Sequence, residues 1–264
     1  MGPFKQFINR TAAKAILKKV TKIAARGEKT IENLNQLGLT NYEYSADGAF
    51  SMTLKEKNIS QPIRDFVSKM KKSSLIKVGI APSSVVLQYC QRLKIPYLDL
   101  ITNLISKNEN KYCFILFPYC ARQKSHKPKN NDRQAIKDLS SKLAPSENIL
   151  LLDNEFSAED LRFLIQNLDI LISSRYHALV CALSQEVVPL VIGWSHKYTE
   201  TLRLFSLQDL AIDYAHLKKN LLEEKFTTIV SDINGYKNTI RAHLTKVKES
   251  SKVNFTIIKE LLEN

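Results

Sequence analysis

The chain has 264 residues, of which 44% are hydrophobic and 25% are charged, so it holds enough apolar sequence for the core of one large domain. No apolar run reaches the roughly 18 residues of a membrane-spanning helix, and the first residues lack the apolar stretch of a signal peptide. The four cysteines are scattered, without the close pairing of a zinc or redox site. We therefore expect a cytoplasmic protein with reduced thiols and no bound metal.

The formal net charge of +13 favours an anionic partner, and residues 1–30 contain eight basic residues against one acidic residue. Nucleic-acid binding would require basic residues interleaved with exposed aromatic residues, or a helix suited to a groove, and neither pattern is present. Anionic lipid head groups and an anionic substrate both fit this charge. We expect no nucleic-acid partner, and we keep peripheral membrane contact as an expectation.

The first 74 residues resemble a helical and connecting segment rather than a regular alternation of elements. Gly38 occupies the position of a helix C-terminal cap, and Pro62 interrupts a lysine-rich stretch. The patterns predict helices over residues 4–19 and 30–37, extended pieces over 20–25 and 42–45, and a linker with a surface helix over 55–74.

From residue 75 onward, strands and helices alternate regularly. Ser157 and Asp160 form a capping-box pattern at the start of one amphipathic helix. Strands are predicted over residues 76–80, 112–117, 149–152, 170–172 and 190–193. Because such alternation is typical of a parallel sheet, we predict an α/β fold with a Rossmann-like sheet flanked by helices over residues 75–235. A C-terminal helix is expected over residues 236–264.

The most informative segment is Ser173-Ser174-Arg175-Tyr176-His177, which follows one apolar strand and precedes a helical pattern. Ligands of open parallel sheets bind at the carboxyl ends of the strands. A guanidinium and an imidazole placed there indicate an anion site with acid and base capacity. The alternative is structural: Arg175 would cap a neighbouring helix, and His177 would be a hydrogen-bonded histidine of the core.

Only seven glycines occur, and none of their spacings matches a phosphate-binding loop. The dinucleotide fingerprint and the P-loop both need closely spaced glycines, because backbone amides must approach the phosphate oxygens. The serine-hydrolase elbow and the zinc-protease motif are also missing. We therefore expect no cofactor.

Several short elements, in order, resemble the polysaccharide pyruvyl transferase family, whose fold is similar to GT-B glycosyltransferases with two Rossmann-like halves. They are Gly2-Pro3-Phe4, Arg26-Gly27-Glu28, Leu37-Gly38, Asp47-x-Ala49-Phe50, Gly79-Ile80-x-Pro82-Ser83, Asn131-Asp132, Ser174 to Leu179, Pro189 and Lys197. The resemblance implies that the chain is the C-terminal half of such a fold. Residues 1–74 would then be the remnant of an N-terminal half that lies outside this sequence.

The resemblance implies transfer of a pyruvyl group from phosphoenolpyruvate to a pair of sugar hydroxyls on a cell-surface glycan or its precursor. Arginine suits the donor, since its planar fork binds carboxylate and phosphate groups bidentately. The catalytic residues would be Arg175 and His177, and the substrate-binding residues would be Arg26, Ser83, Ser84, Lys197 and Trp194. A homo-oligomer or the missing half would complete the site.

Each of these roles has a structural alternative. Arg26 could pair with Glu28 or cap a helix, Ser83 and Ser84 could form a helix N-cap, Lys197 could be solvated, and Trp194 could close the core. The chain also departs from the family at Pro118-Tyr119, where the family often carries Pro-His. Two other functions stay open: a GT-B-like half of a nucleotide-sugar glycosyltransferase or epimerase, and a non-catalytic half-domain that binds an anion or a partner.

Overall fold

The computed structural model of the protein describes residues 6–121 and 131–263. Two compact units are present: a smaller unit of Met1–Met52 with His243–Asn264, and a larger unit of Thr53–Ala242. Both combine parallel strands with helices, which confirms the predicted α/β class. None of the helices among the described residues has the length and apolarity needed to cross a membrane.

The larger unit contains a six-stranded sheet in which every neighbouring pair is parallel. Its strands are β3 (Ile76–Ala81), β4 (Tyr112–Leu116), β5 (Ile149–Leu151), β6 (Ile170–Ser173), β7 (Val188–Gly193) and β8 (Ala211–Asp213). Strands β6 and β7 are buried along their whole length, as expected for strands covered on both faces. Their near-continuous apolar sequences therefore predicted them well.

The order of the strands is β5-β4-β3-β6-β7-β8. The chain moves outward from β3 to β5 and then returns to the opposite side of β3 with β6. This reversal creates a switch point between β3 and β6, and ligands of open α/β sheets bind in the crevice at such a point. In register, Ala81 at the end of β3 lies opposite Ser173 at the end of β6.

Helices connect the strands of the larger unit. They are α3 (Gln61–Lys71), α4 (Ser84–Arg92), α5 (Tyr97–Asn108), α6 (Arg133–Ser140), α7 (Ala158–Gln166), α8 (Tyr176–Ser184), α9 (His196–Arg203), α10 (Lys219–Ser231) and the start of α11 (Ile233–Glu263). The capping box predicted at Ser157 and Asp160 is present at the start of α7. Helix α8 buries every residue from Ala178 to Ser184, because its small side chains allow close packing.

The smaller unit consists of α1 (Phe7–Leu17), β1 (Ile23–Arg26), α2 (Glu28–Gln36), β2 (Tyr42–Ser45) and the later part of α11. Strands β1 and β2 pair in parallel. An apolar cluster holds these elements together, formed by Ile23, Ala25, Leu34, Leu37 and Leu39.

The observed elements differ from the predicted ones mainly at their ends. The extended piece predicted over residues 20–25 becomes a strand only at Ile23, since Lys19 and Val20 still donate to carbonyls of the last turn of α1. Helix α2 begins at Glu28, because Gly27 has a φ of 82° and turns the chain sharply after β1. Strand β8 was missed, since three residues are too few to show a pattern.

Candidate functional site

Five residues from different elements meet at the switch point of the sheet. Ser83 and Ser84 follow β3, Ser174 and Arg175 follow β6, and Asp132 precedes α6. We call these five residues the polar corner. Four of them are buried, and Arg175 is partly buried. Their position is the one that sheet topology predicts for a ligand site.

Asp132 and Arg175 form the central contact of the polar corner. The Asp132 carboxylate has no exposed surface and accepts hydrogen bonds from Nε (2.8 Å) and Nη2 (2.5 Å) of Arg175. It also accepts the backbone N–H groups of Ser84 (2.9 Å) and Cys120 (3.0 Å). Burial lowers the pKa of the Arg175 guanidinium, but the hydrogen bonds and charge of Asp132 outweigh it and raise that pKa overall. Arg175 is therefore a fixed, permanently charged group.

Two buried tyrosines form hydrogen bonds with the residues that follow strands β3 and β6. The Tyr97 hydroxyl lies 2.7 Å from Oγ of Ser174 and accepts the backbone N–H of Ser83 at 3.3 Å. The Tyr198 hydroxyl donates to the carbonyl of Ser174 at 3.0 Å. Burial raises the pKa of both phenols, so both remain protonated and act as fixed supports.

The hydroxyls of Ser83 and Ser84 are engaged in structural hydrogen bonds. Oγ of Ser83 accepts the N–H of Val85 at 3.2 Å and forms the N-cap of α4, which is the structural alternative stated above. Oγ of Ser84 donates to the carbonyl of Asn131 at 2.6 Å. Ser84 thus joins the start of α4 to the segment before α6, and Ser83 caps α4.

His177 lies in the first turn of α8 with its side chain exposed. Its ring meets the Tyr176 ring edge-on, at a centroid distance of 5.3 Å. The alternative of a buried core histidine is therefore wrong. The imidazole is accessible to solvent and lies two residues after Arg175.

Trp194 and Lys197 follow β7 at the same edge of the sheet. Trp194 is 40% exposed, so it does not close the core, and Lys197 is exposed in the first turn of α9. A lysine at this position can contribute a mobile positive charge at the carboxyl edge of the sheet. Both residues are accessible from solvent, as a substrate-binding role requires.

Arg26 lies in the smaller unit, at the carboxyl end of β1. It forms an ion pair with Asp47, which follows β2. The pair borders a cavity of about 330 Å³ whose lining residues are Ile23, Ala24, Arg26, Thr30, Ala46, Asp47, Gly48 and Asn254. The structure gives Arg26 a partner, Asp47, that the sequence did not suggest.

Sequence reasoning missed Tyr97 and Tyr198 and did not include Asp132 among the site residues. A signal existed for Asp132, since Asn131-Asp132 precedes a helical pattern among the family-like elements. Tyr97 and Tyr198 carried no signal, because an isolated tyrosine in an amphipathic helix is typical of core packing.

Tyr119 stands where the family often carries histidine, and the structure places it against the apolar cluster around α7 and α8. Burial raises the pKa of its phenol far above neutrality. Tyr119 therefore keeps its proton near neutral pH. Residues 122–130 and the Gly2-Pro3-Phe4 element lie outside the described residues.

We expect Gly193→Ala to destabilise the larger unit by about 1–3 kcal/mol. A Cβ at this position would lie 2.9 Å from Cγ of Tyr198, so the ring that supports Ser174 would have to move. Urea unfolding measures the change. The matched control is Gly48→Ala, where the nearest atom to the new Cβ is 4.0 Å away. An equal loss of unfolding free energy in both variants would contradict the tight packing at Gly193.

Comparison with solved structures supports the fold. The chain is similar to UDP-GlcNAc 2-epimerase from Neisseria meningitidis bound to UDP-GlcNAc, with a TM-score of 0.58, 16% identity, and coverage of 99% of this chain and 65% of that one. It is also similar to a putative UDP-N-acetylglucosamine 2-epimerase from Listeria monocytogenes, with a TM-score of 0.66, 12% identity, and coverage of 99% and 64%. A third similar structure is a UDP-forming trehalose-phosphate synthase from Burkholderia xenovorans in complex with glucose-6-phosphate. Its TM-score is 0.56 and its identity 11%, and the match covers 84% of this chain and 52% of that one.

Identities this low show the fold alone, which is that of GT-B glycosyltransferases and epimerases. The chain spans less than two thirds of the length of each of these three proteins. No curated protein matches the sequence. The family model of polysaccharide pyruvyl transferases, however, matches residues 1–196, which is most of the chain and includes the whole polar corner. The protein therefore belongs to the polysaccharide pyruvyl transferase family.

Proposed function

We propose that the protein transfers a pyruvyl group from phosphoenolpyruvate to a pair of hydroxyls on a sugar of a cell-surface glycan or its precursor. The observation that carries the proposal is that Arg175, held by Asp132 at the switch point of the sheet, is followed two residues later by an exposed His177. Membership in a family of transferases supports it. The N-terminal arrangement around Arg26 supports a further anion contact, because it also lies at the end of a parallel strand.

The reaction makes clear demands on the site. A proton adds to the methylene carbon of phosphoenolpyruvate, and the adjacent carbon becomes a cationic centre. One sugar hydroxyl attacks that centre and loses its proton, phosphate leaves with its bonding electron pair, and the second hydroxyl closes the ketal and loses its proton. The site must therefore bind a carboxylate and a phosphate, supply one proton, and receive two.

The described residues fit these demands. Arg175 is held at one angle by Asp132 and supplies a permanent positive charge for the carboxylate or phosphate of the donor. Exposed Lys197 adds a second positive charge at the carboxyl edge of the sheet, and Trp194 follows the same strand, β7. His177 is the group that exchanges protons, since the two ring nitrogens of an imidazole can donate and accept a proton. Ser83 and Ser84 shape the polar corner through their hydrogen bonds. Arg26, taken by itself in the smaller unit, offers a further positive charge for an anion.

Donor binding separates this function from its alternatives. At a concentration of about 100 times its Kd, phosphoenolpyruvate should stabilise the chain by about 2.7 kcal/mol, which thermal unfolding detects. UDP-GlcNAc should leave the unfolding temperature unchanged. Stabilisation by UDP-GlcNAc alone would instead favour a nucleotide-sugar transferase or epimerase. Stabilisation by neither compound would favour a non-catalytic half-domain.

We further propose that the protein works at the cytoplasmic face of a membrane and contacts it through α1. One side of this helix packs through Ala13 and Leu17, yet Phe7, Ile8 and Ile16 are 81%, 79% and 64% exposed. The basic residues flanking them are Arg10, Lys14, Lys18 and Lys19. Exposed apolar side chains among positive charges are complementary to anionic lipid.

Sedimentation with vesicles tests this contact. The protein should sediment with vesicles of phosphatidylglycerol and phosphatidylcholine, and it should do so less at high salt, because salt screens charge attraction. Changing both Ile8 and Ile16 to Asp should abolish binding, whereas Ile258→Asp, at another exposed apolar position, should not. If the double variant sediments like the wild-type protein, another part of the protein or a partner covers this face.

A further inference from the structure

Three aromatic rings converge beside the polar corner. Tyr89 lies on α4, Trp194 follows β7, and Tyr214 follows β8. The Tyr89 and Trp194 ring centroids are 5.9 Å apart with an interplanar angle of 69°, and those of Tyr89 and Tyr214 are 5.5 Å apart at 40°. We call these three residues the aromatic face. They come from separate segments, so the fold itself assembles them at the carboxyl edge of the sheet.

The aromatic face is open to solvent. Trp194 is 40% exposed, and Tyr89 and Tyr214 are partly exposed. Large aromatic side chains contribute most when they are buried, so rings left accessible at a ligand-binding edge indicate a ligand surface. The guanidinium of Arg92 lies 6.0 Å from the Tyr89 ring centroid and adds a hydrogen-bond donor at the border.

The angles between the rings favour a sugar over a nucleobase. A flat base stacks best on flat or parallel rings. These rings are inclined to one another and form a bent surface, which fits the C–H groups of a puckered pyranose chair. The charged side chains next to them, Arg92 and Asp213, can exchange hydrogen bonds with sugar hydroxyls.

A chain of hydrogen bonds joins the aromatic face to the polar corner. The indole N–H of Trp194 bonds to the side chain of Tyr198, whose hydroxyl donates to the carbonyl of Ser174. Ser174 directly precedes Arg175. The aromatic face is therefore connected through Tyr198 to the residue that precedes Arg175.

We propose that Tyr89, Trp194 and Tyr214 form a subsite for one pyranose ring of the glycan. That this ring belongs to the acceptor rests on the function proposed above. The binding of a pyranose does not depend on that function, since it follows from the rings themselves.

Fluorescence tests the proposal directly, because Trp194 is the only tryptophan in the chain. Methyl β-D-galactopyranoside and methyl α-D-mannopyranoside serve as probes, with the open-chain polyol sorbitol and the nucleotide UMP as comparisons. We expect at least one glycoside to give a saturable change in Trp194 emission, with no saturable change for sorbitol or UMP. Tyr214→Ala should weaken binding about two- to tenfold, which is the worth of one aromatic contact. The control Tyr44→Ala, which removes an exposed ring in the smaller unit, should not weaken it.

The proposal is overturned if neither glycoside gives a saturable change, if sorbitol gives the same change, or if only UMP does. It is also overturned if Tyr214→Ala is folded, as judged by its unfolding temperature, yet binds the glycoside with unchanged affinity. Failure of the proposed reaction can be distinguished from failure of the subsite. If glycosides bind but no pyruvyl ketal forms, the subsite stands without the reaction. If ketals form and Tyr214→Ala leaves the acceptor KM unchanged, the reaction stands without the subsite.

Discussion

Asp132→Ala should destabilise the larger unit by about 3–5 kcal/mol and abolish donor binding. The carboxylate is fully buried and accepts four hydrogen bonds, two from Arg175 and one each from the N–H groups of Ser84 and Cys120. Its removal leaves a largely buried guanidinium without its counter-charge and two backbone donors without this acceptor. Urea unfolding and phosphoenolpyruvate titration measure the two losses.

A neighbouring ion pair provides the matched control for Asp132. Asp153 pairs with Arg133 at 3.1 Å, but both side chains are more than a quarter exposed. A pair of this kind contributes about 0–1 kcal/mol, so Asp153→Ala should have a small effect on stability. If Asp132→Ala and Asp153→Ala lower stability equally, the buried pair does not organise the corner.

Stability and donor binding can also be separated. A double variant, Asp132→Leu with Arg175→Met, removes both charges and leaves neither one unpaired. Such replacements of buried ion pairs are often neutral for stability. We expect the double variant to recover much of the stability lost in Asp132→Ala but to bind no phosphoenolpyruvate. Donor binding by the double variant would show that the anion binds elsewhere.

His177→Ala should lower kcat of pyruvyl transfer by about 10²–10⁴, which is the usual contribution of a general acid or base. Because the side chain is exposed, the unfolding temperature should stay the same. Phosphoenolpyruvate should still bind, since Asp132 continues to hold Arg175 in place. Steady-state kinetics of phosphate release, together with thermal unfolding, check these expectations.

His196 is the control for His177. It is also exposed, lies at the start of α9 and is 3.8 Å from Glu200, so His196→Ala removes an imidazole from the same edge of the sheet. We expect His196→Ala to retain most of the activity. If His177→Ala has the wild-type kcat, His177 takes no part in the chemical step.

The amino-acid sequence predicted the parts of this molecule that depend on local pattern. Strands β6 and β7 are continuous apolar runs, and the N-terminal cap of α7 has its own short signature. Arg175 and His177 could be placed at a strand end because apolar sequence precedes them directly. The short strand β8 has no comparable pattern, so only the packed sheet shows it.

The contacts of the site could not be predicted in the same way. Asp132 is 43 positions away from Arg175, and their meeting depends on the order β4-β3-β6 in the sheet. Tyr97 and Ser174 are 77 positions apart. No periodicity encodes such distances, because they follow from how the strands are arranged. The structure also gave Ser83 and Ser84 structural bonds that their sequence context left open.

One measurement tests the central claim most directly: the mass of an acceptor glycan after incubation with the protein and phosphoenolpyruvate, in normal and in deuterated water. The envelope oligosaccharides of the source cell serve as acceptors. We predict a gain equal to pyruvate less one water, with one additional deuterium in deuterated water, because the methylene carbon takes a solvent proton. The gain should disappear with His177→Ala. An acceptor that gains a sugar from UDP-GlcNAc, and nothing from phosphoenolpyruvate, would contradict the account.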